Sequence, residues 1–191
     1  MKLYCVSNTY TRIHGIITKG GDAANVIPAY ASAKFYARSL TKNQLAELKP
    51  KVENCFKAAA LATGCQIKLS WGPLGPIDDV FMNDTLTAVY KTYMEDEGVS
   101  YLPRTEEEKI TSGSTDMGNF SYVVPSIHPA FGICTDASNH SKEFAAAART
   151  EIAHKRTLTA AKCLSFTAAD VLLKDELYDQ VVKDFKKGKA Q

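Results

Sequence analysis

Four histidines, His14, His128, His140 and His154, are the side chains of this 191-residue chain best suited to bind a metal or move a proton near neutral pH. No two stand in an HxH or HxxxH relation, the spacings that bring two imidazoles to one face of a strand or helix. Taken alone, His14 reads as a packed or solvent-facing strand residue and His154 as a surface residue of a helix. Cysteines 5, 55, 65, 134 and 163 are odd in number and form no CxxC pair. Each therefore reads as a small core residue rather than a nucleophile. Glu106, Glu107 and Glu108 precede Lys109 in a polar stretch and read as a solvated face. The richest segment is GSTDMGNFSYVVPSIHPAFGICTDASNHSKEFAAAA, residues 113–148. Polar groups there fall in loops between apolar runs, and His140 follows Asn139 immediately before a helix. Loops held by a rigid scaffold usually carry function, and in open α/β sheets they line the binding crevice.

The elements that must position these residues follow from periodicity. Residues 10–20 read as a strand through Ile13, Ile16 and Ile17. Gly20-Gly21-Asp22 breaks it, and AYASAKFYARS after Pro28 reads as a second strand, joined to the first by roughly eight residues as a hairpin-like pair. Thr41 is an N-cap for a helix over 42–63, whose apolar stripe runs through Leu45, Leu48, Val52, Phe56 and Ala59. Pro50 is expected to kink or split it, and Gly64 to end it. Cys65–Trp71 alternates and reads as a third strand. The order strand, strand, helix, strand predicts most of a small α+β sandwich. GPLGP at 72–76 is a candidate domain boundary. Beyond it the pattern predicts an amphipathic helix over 83–97, capped by Asn83 or Asp84 and ended by Gly98, and a polar loop over 103–115. Short strands follow at 120–124 and about 130–134, then alanine-rich helix in two pieces over 143–173 and a last helix over 174–186. The expected fold is α/β, with domains at 1–71 and 77–191.

Bulk composition narrows the function classes. With 45% hydrophobic and 23% charged residues, a net charge of +2 and no long apolar run, the chain has an ordinary soluble composition and no membrane span. The opening MKLYCVSNTYTR lacks an apolar signal-peptide region, and reduced thiols fit a cytoplasmic protein. Lys183, Lys186, Lys187 and Lys189 form a short basic tail, read as a solvated terminus. Nucleic acid is not expected as a partner, because the net charge is small and no strand face is seen to interleave basic with aromatic residues.

The stretches RIHGIITKGGDAANVIP (12–28), CFKAAALATGC (55–65), GSTDMGNFSYVVPSIHP (113–129), NHSKEFAAAA (139–148) and AHKRTLTAAKCLSFTAADVL (153–172) occur in an order that resembles one family. It is the zinc metallopeptidase family of aminoacylase, hippurate hydrolase and aminobenzoyl-glutamate hydrolase. The resemblance is nearest to dipeptidases acting on substrates with a basic C-terminal residue. It implies a partial ferredoxin-like lid, which dimerises, followed by the C-terminal part of a zinc-peptidase catalytic domain. His140 matches a zinc ligand, against the plain reading that it caps a helix. Ser114, Thr115 and Asp116 match a turn at the active-site rim, where Asp116 either orients an imidazole or makes an Asx-turn. Asn25 and Arg38 match lid positions that hold the substrate's terminal carboxylate, a role suited to a guanidinium fork and a neutral amide donor. Their plain alternatives are a turn residue and a surface ion pair. His128 belongs to a matching loop that could contact substrate.

The resemblance further implies that the remaining zinc ligands and the general-base glutamate lie in an N-terminal half with no counterpart here. One histidine cannot hold two zinc ions, so the chain alone is expected not to hydrolyse peptides. The implied substrate is a dipeptide or N-acyl amino acid, and the implied assembly a homodimer through the lid. The alternative is a non-enzymatic dimerisation module that pairs with itself or with a longer homologue.

Overall fold

A computed structural model describes residues 11–101 and 114–189. Cys5, the first ten residues, Glu106–Glu108 and most of the polar loop expected over 103–115 lie outside them. The described chain divides into two compact units, Met1–Asp79 and Val80–Gln191.

The first unit is an antiparallel ribbon covered on one face by a helix. Strand β1 (Arg12–Lys19) pairs with β2 (Ser32–Arg38) in the register Arg12↔Arg38, Ile13↔Ala37, His14↔Tyr36, Gly15↔Phe35 and Ile16↔Lys34. Residues 20–31 make the connection, longer than expected, and Thr18 and Ser32 hydroxyls bond at 2.8 Å where it leaves the ribbon. Alternation along each strand turns Ile13, Gly15, Phe35 and Ala37 to one face, where all are half-buried. A Cβ on Gly15 would stand 2.5 Å from the Phe35 ring and 2.6 Å from the Lys34 carbonyl oxygen, so only glycine lets that ring cross the strand. Phe35 then meets Phe56 of helix α1 edge to face at 5.0 Å.

Helix α1 (Lys42–Thr63) starts where Thr41 accepts the Gln44 N–H and ends at left-handed Gly64 (φ 67°), as its sequence predicts. It runs unbroken across Pro50, against the expected kink or split. Leu48 and Val52, on either side of the proline, are its buried residues and hold both halves to one line. The first helical residue fixes the end of the unit. The Lys42 backbone N–H donates to Asp79 Oδ1 (2.7 Å) and its ammonium to Asp78 Oδ2 (2.6 Å), which puts carboxylates at a helix N-terminus.

The expected third strand is absent. Residues 65–72 belong to no ladder, and the described sheet has two strands. Trp71 instead donates its indole N–H to Glu53 on α1 (2.7 Å), with Lys49 over its ring at 5.2 Å. An alternating sequence becomes a strand only when a neighbour satisfies its backbone, and no described neighbour does so here.

The second unit packs three helices, α2 (Asp84–Asp96), α5 (Glu151–Leu173) and α6 (Asp175–Lys189), with the short α3 (Met117–Ser121) and α4 (Lys142–Ala147). Tyr90, Met94 and Cys163 form its core, ringed by Tyr93, Val99, Tyr101 and Ile127. Asn83 caps α2 by accepting the Leu86 N–H at 3.0 Å. Its amide also donates to the Val181 carbonyl of α6 at 3.0 Å, and its own N–H meets the Ser126 carbonyl at 2.9 Å. The side chain is 2% exposed and wholly satisfied. The alanine-rich region divides as expected, at Ala148–Thr150, where Thr150 caps α5.

Two other expected strands are also corrected. Residues 117–121 are helical, although FSYVV is rich in strand formers. Ser121, fully buried, donates to the Gly118 carbonyl (2.7 Å) and accepts the Phe81 N–H (2.8 Å), so anchoring by neighbours overrides propensity. Residues 130–134 are irregular. Cys134 has φ 61°, which no strand tolerates, and the Gly132 carbonyl accepts from Arg156 at 3.1 Å. The architecture is thus mixed, helices with one small antiparallel sheet.

Candidate functional site

The ribbon face turned away from α1 carries Arg12, His14, Tyr36 and Arg38, all exposed. Arg12 and Arg38 are direct cross-strand partners, and on the next same-face rung the His14 and Tyr36 rings stack at 5.7 Å and 23°. Lys34 lies over Tyr36 at 5.4 Å. The two strands hold four cations, Arg12, Lys19, Lys34 and Arg38, and no acidic residue. Among the described residues neither Arg12 nor Arg38 has an ion pair, so the surface-ion-pair reading of Arg38 has no partner to support it. Lys34, Tyr36 and Arg38 also interleave basic with aromatic residues on one strand face, which corrects one of the two grounds for setting nucleic acid aside. The small net charge of the chain still stands.

Asn25 occupies the connection between the strands, at the third position of a turn closed by the Val26 N–H on the Ala23 carbonyl (3.2 Å), and is exposed. Gly21 (φ 107°) packs there on Pro28, 3.3 Å from where a Cβ would stand.

In the second unit, Ser114, Thr115 and Asp116 lead into α3. The turn is made by Thr115, whose hydroxyl accepts the Met117 N–H (3.3 Å) and whose carbonyl accepts the Gly118 N–H (3.2 Å). Asp116 stands at the cap position without a side-chain cap bond, and lines a shallow open depression with Met117, Asn119 and Phe120. His128 is exposed, and its backbone N–H points at the Met82 sulfur at 3.4 Å.

His140 is the most constrained of these residues. It has φ 67°, in a turn closed by the Ser141 N–H on the Ser138 carbonyl (3.2 Å). Glycine or asparagine ordinarily takes such a conformation, at a cost of about 1 kcal/mol for other residues. The helix cap is Ser141, which accepts the Phe144 N–H at 3.0 Å, so His140 does not cap α4. The imidazole is exposed at the head of that helix.

Within the first unit no described hydrogen bond joins Asn25 to Arg38, and within the second none joins any two of Ser114, Thr115, Asp116, His128 and His140. No three His, Cys, Asp or Glu side chains among the described residues come together in a way that could hold a metal ion. His140 can offer one imidazole nitrogen, but this donor set does not make a zinc site, which takes at least three protein ligands. No helix among the described residues is long and apolar enough to cross a membrane.

Sequence reading missed a polar bridge between α2 and α5. The Tyr93 hydroxyl donates to Asp170 at 2.8 Å, and Asp170 pairs with Lys174 at 2.8 Å. The hydrogen bond from Lys174, then that from Tyr93, holds the Asp170 carboxyl below the usual carboxylate range, and the same carboxylate pushes the Tyr93 phenol up. The spacing of Asp170 and Lys174, four apart on a helix, was the available signal. Tyr93 lies 77 residues away and left none.

Comparison with known proteins gives these positions a context. Residues 8–64, which include β1, β2 and α1, match a family model described as a peptidase dimerisation domain of the M20 type. The chain is 41% identical over 175 residues to the Xaa-Arg dipeptidase of Mus musculus, and 40% identical over 178 residues to that of Homo sapiens. Each alignment covers 92% of this chain and 40% of the relative, so the chain spans less than half the length of the relatives it matches.

Proposed function

We propose that this chain, related in sequence to the M20 peptidases, serves a metal-dependent dipeptidase that removes a C-terminal basic residue. The extent of the relation carries the reading: at 92% of the chain, identity runs through both units and not through the dimerisation domain alone. The first unit, Met1–Asp79, contains the partial lid expected at 1–71, and the second, Val80–Gln191, supplies most of the C-terminal part of a catalytic domain expected at 77–191. In the lid, Arg38 and Asn25 hold the substrate's terminal carboxylate. Ser114, Thr115, Asp116 and His128 line the approach to the scissile bond.

His140 contributes one ligand to a zinc centre. A turn that accepts a strained histidine, with Ser141 relieving it of the capping role, supports this assignment. Bound zinc would polarise the substrate carbonyl and activate water. The described residues offer one such ligand, so we infer that the chain by itself does not turn over dipeptides. Three exposed free thiols, Cys55, Cys65 and Cys134, suit a reducing cytoplasmic setting.

Assembly follows from the ribbon. Two antiparallel strands are marginal alone, and both edges are unpaired among the described residues. A homodimer formed through an edge strand and α1 would pair one of them. The same observation supports a second reading, a non-enzymatic module that dimerises with itself or with a longer homologue. The test is an assay of zinc-loaded pure chain on dipeptides ending in arginine, with sedimentation and metal analysis in parallel. Measurable turnover overturns the inactivity. A dimer without zinc favours the module, and zinc lost on His140→Ala favours the ligand assignment.

A further inference from the structure

We propose that Arg12 joins Arg38 as a paired guanidinium clamp for one carboxylate, on the ribbon face away from α1. The inference rests on the reading above that the lid holds the substrate's terminal carboxylate. It adds Arg12 to Arg38 and Asn25 as a binding residue and narrows what that face recognises.

Register brings the two arginines together. As antiparallel Cα partners their backbones are about 5 Å apart, so both forks can reach one anion. Like charges directly opposite destabilise a ribbon, so the pair is a cost to folding. Nothing described offsets it: the two strands contain no acidic residue, and neither guanidinium has an ion pair among the described residues. Guanidinium groups are donors only, and two of them side by side match the two oxygens of a carboxylate.

The next rung shapes the ligand. His14 and Tyr36 stack into a flat wall beside the clamp, and Ile16, 65% exposed, continues the face beyond it. A small N-acyl amino acid or dipeptide can lay its carboxylate on the arginines and its body along these rings. Four cations and no carboxylate on the two strands mean that this face reads the terminal carboxylate and does not attract a basic side chain next to it. Preference for a basic residue must come from elsewhere.

The test uses the full chain, with N-acetylglycine as probe and N-acetylglycinamide as the control that lacks the carboxylate. Binding is followed by NMR of the arginine side-chain N–H signals, beside thermal unfolding. The wild type is expected to bind the acid and not the amide. Arg12→Gln and Arg38→Gln are each expected to weaken binding about tenfold or more, and Arg12→Lys, which keeps charge without the fork, by less. Because each glutamine variant relieves like-charge repulsion, its unfolding midpoint should stay level or rise. A merely structural arginine would lower it. If Arg38→Gln weakens binding and Arg12→Gln does not, the clamp is overturned while the role of Arg38 survives. If the wild type ignores N-acetylglycine, both fall. Salt-dependent binding of a short oligothymidylate that displaces N-acetylglycine and is lost in Arg12→Gln would likewise overturn the clamp, in favour of phosphate recognition.

Discussion

The two units solve the problem of holding a fold together in opposite ways. The first, Met1–Asp79, has ten lysines and arginines against five acids, and buries only Leu48 and Val52 among its described apolar residues. The second, Val80–Gln191, has thirteen against sixteen, and buries Tyr90, Met94, Ile133, Ala153, Ala160, Cys163 and Val181. A larger core lets the second unit carry buried polar groups such as Asn83, Ser121 and Thr167, each bonded. The first unit carries a surface of positive charge and strand edges that are unpaired among the described residues, features that favour ligands and partners over self-sufficiency. Stability and recognition are thus unevenly divided along the chain.

That contrast can be broken first at Asn83. Asn83→Ala removes an α2 cap and a bond to α6 at once, and should cost about 2–3 kcal/mol in urea unfolding. A loss below about 0.5 kcal/mol would mean that cross-helix polar bonds do not hold the second unit. The matching probe of the first unit is Gly15→Val, which drives a side chain into the Phe35 ring. It should cost about 1–3 kcal/mol by the same measurement, and more than valine would cost at exposed Gly72, where no atom stands within 4 Å of a Cβ.

His140→Gly tests whether strain is retained for function, and here stability should rise by about 1 kcal/mol as the left-handed turn relaxes. A drop would make the histidine a structural residue. The smallest effect concerns acid. Asp170 and Asp184 in the second unit have carboxyls held low, by hydrogen bonds led by Lys174 and Thr85 respectively, while Glu53 is the corresponding case in the first, through Trp71. A folded pKa below the unfolded value of about 4 gives stability that is complete above it and lost as pH falls through the folded pKa. Unfolding midpoints should therefore drop below about pH 4, and Asp170→Asn should flatten part of that slope. An unchanged slope would remove the Tyr93–Asp170–Lys174 bridge from the account of the second unit.

Much of the fold was legible because its signals are local. Thr41, Gly64 and Asn83 mark helix ends with groups that act within one turn, and the stripe through Leu45, Leu48, Val52 and Phe56 places one face of α1. The ribbon was legible from β-branched and aromatic runs on either side of Gly20–Pro28. Misreadings share one cause. Cys65–Trp71, FSYVV and AFGIC have strand-forming residues, yet a strand also needs a neighbour, and at each place a different contact took the chain: Glu53 for Trp71, Phe81 for Ser121, Arg156 for Gly132. Of the candidate site, resemblance supplied residues without geometry. That His140 is strained, that Ser141 caps in its place, and that Thr115 rather than Asp116 makes the turn were invisible in composition or spacing.

By itself the sequence determined both ends of α1, the cap of α2 and which face of α1 is apolar, and it carries ordered motifs that resemble those of a peptidase family, since caps, periodicity and motifs are written in consecutive residues. Tertiary structure alone decided which alternating segments became strands, and which arginine stands opposite Arg38. Both depend on partners distant along the chain, whose contribution to the free energy exists only once the backbone has brought them together.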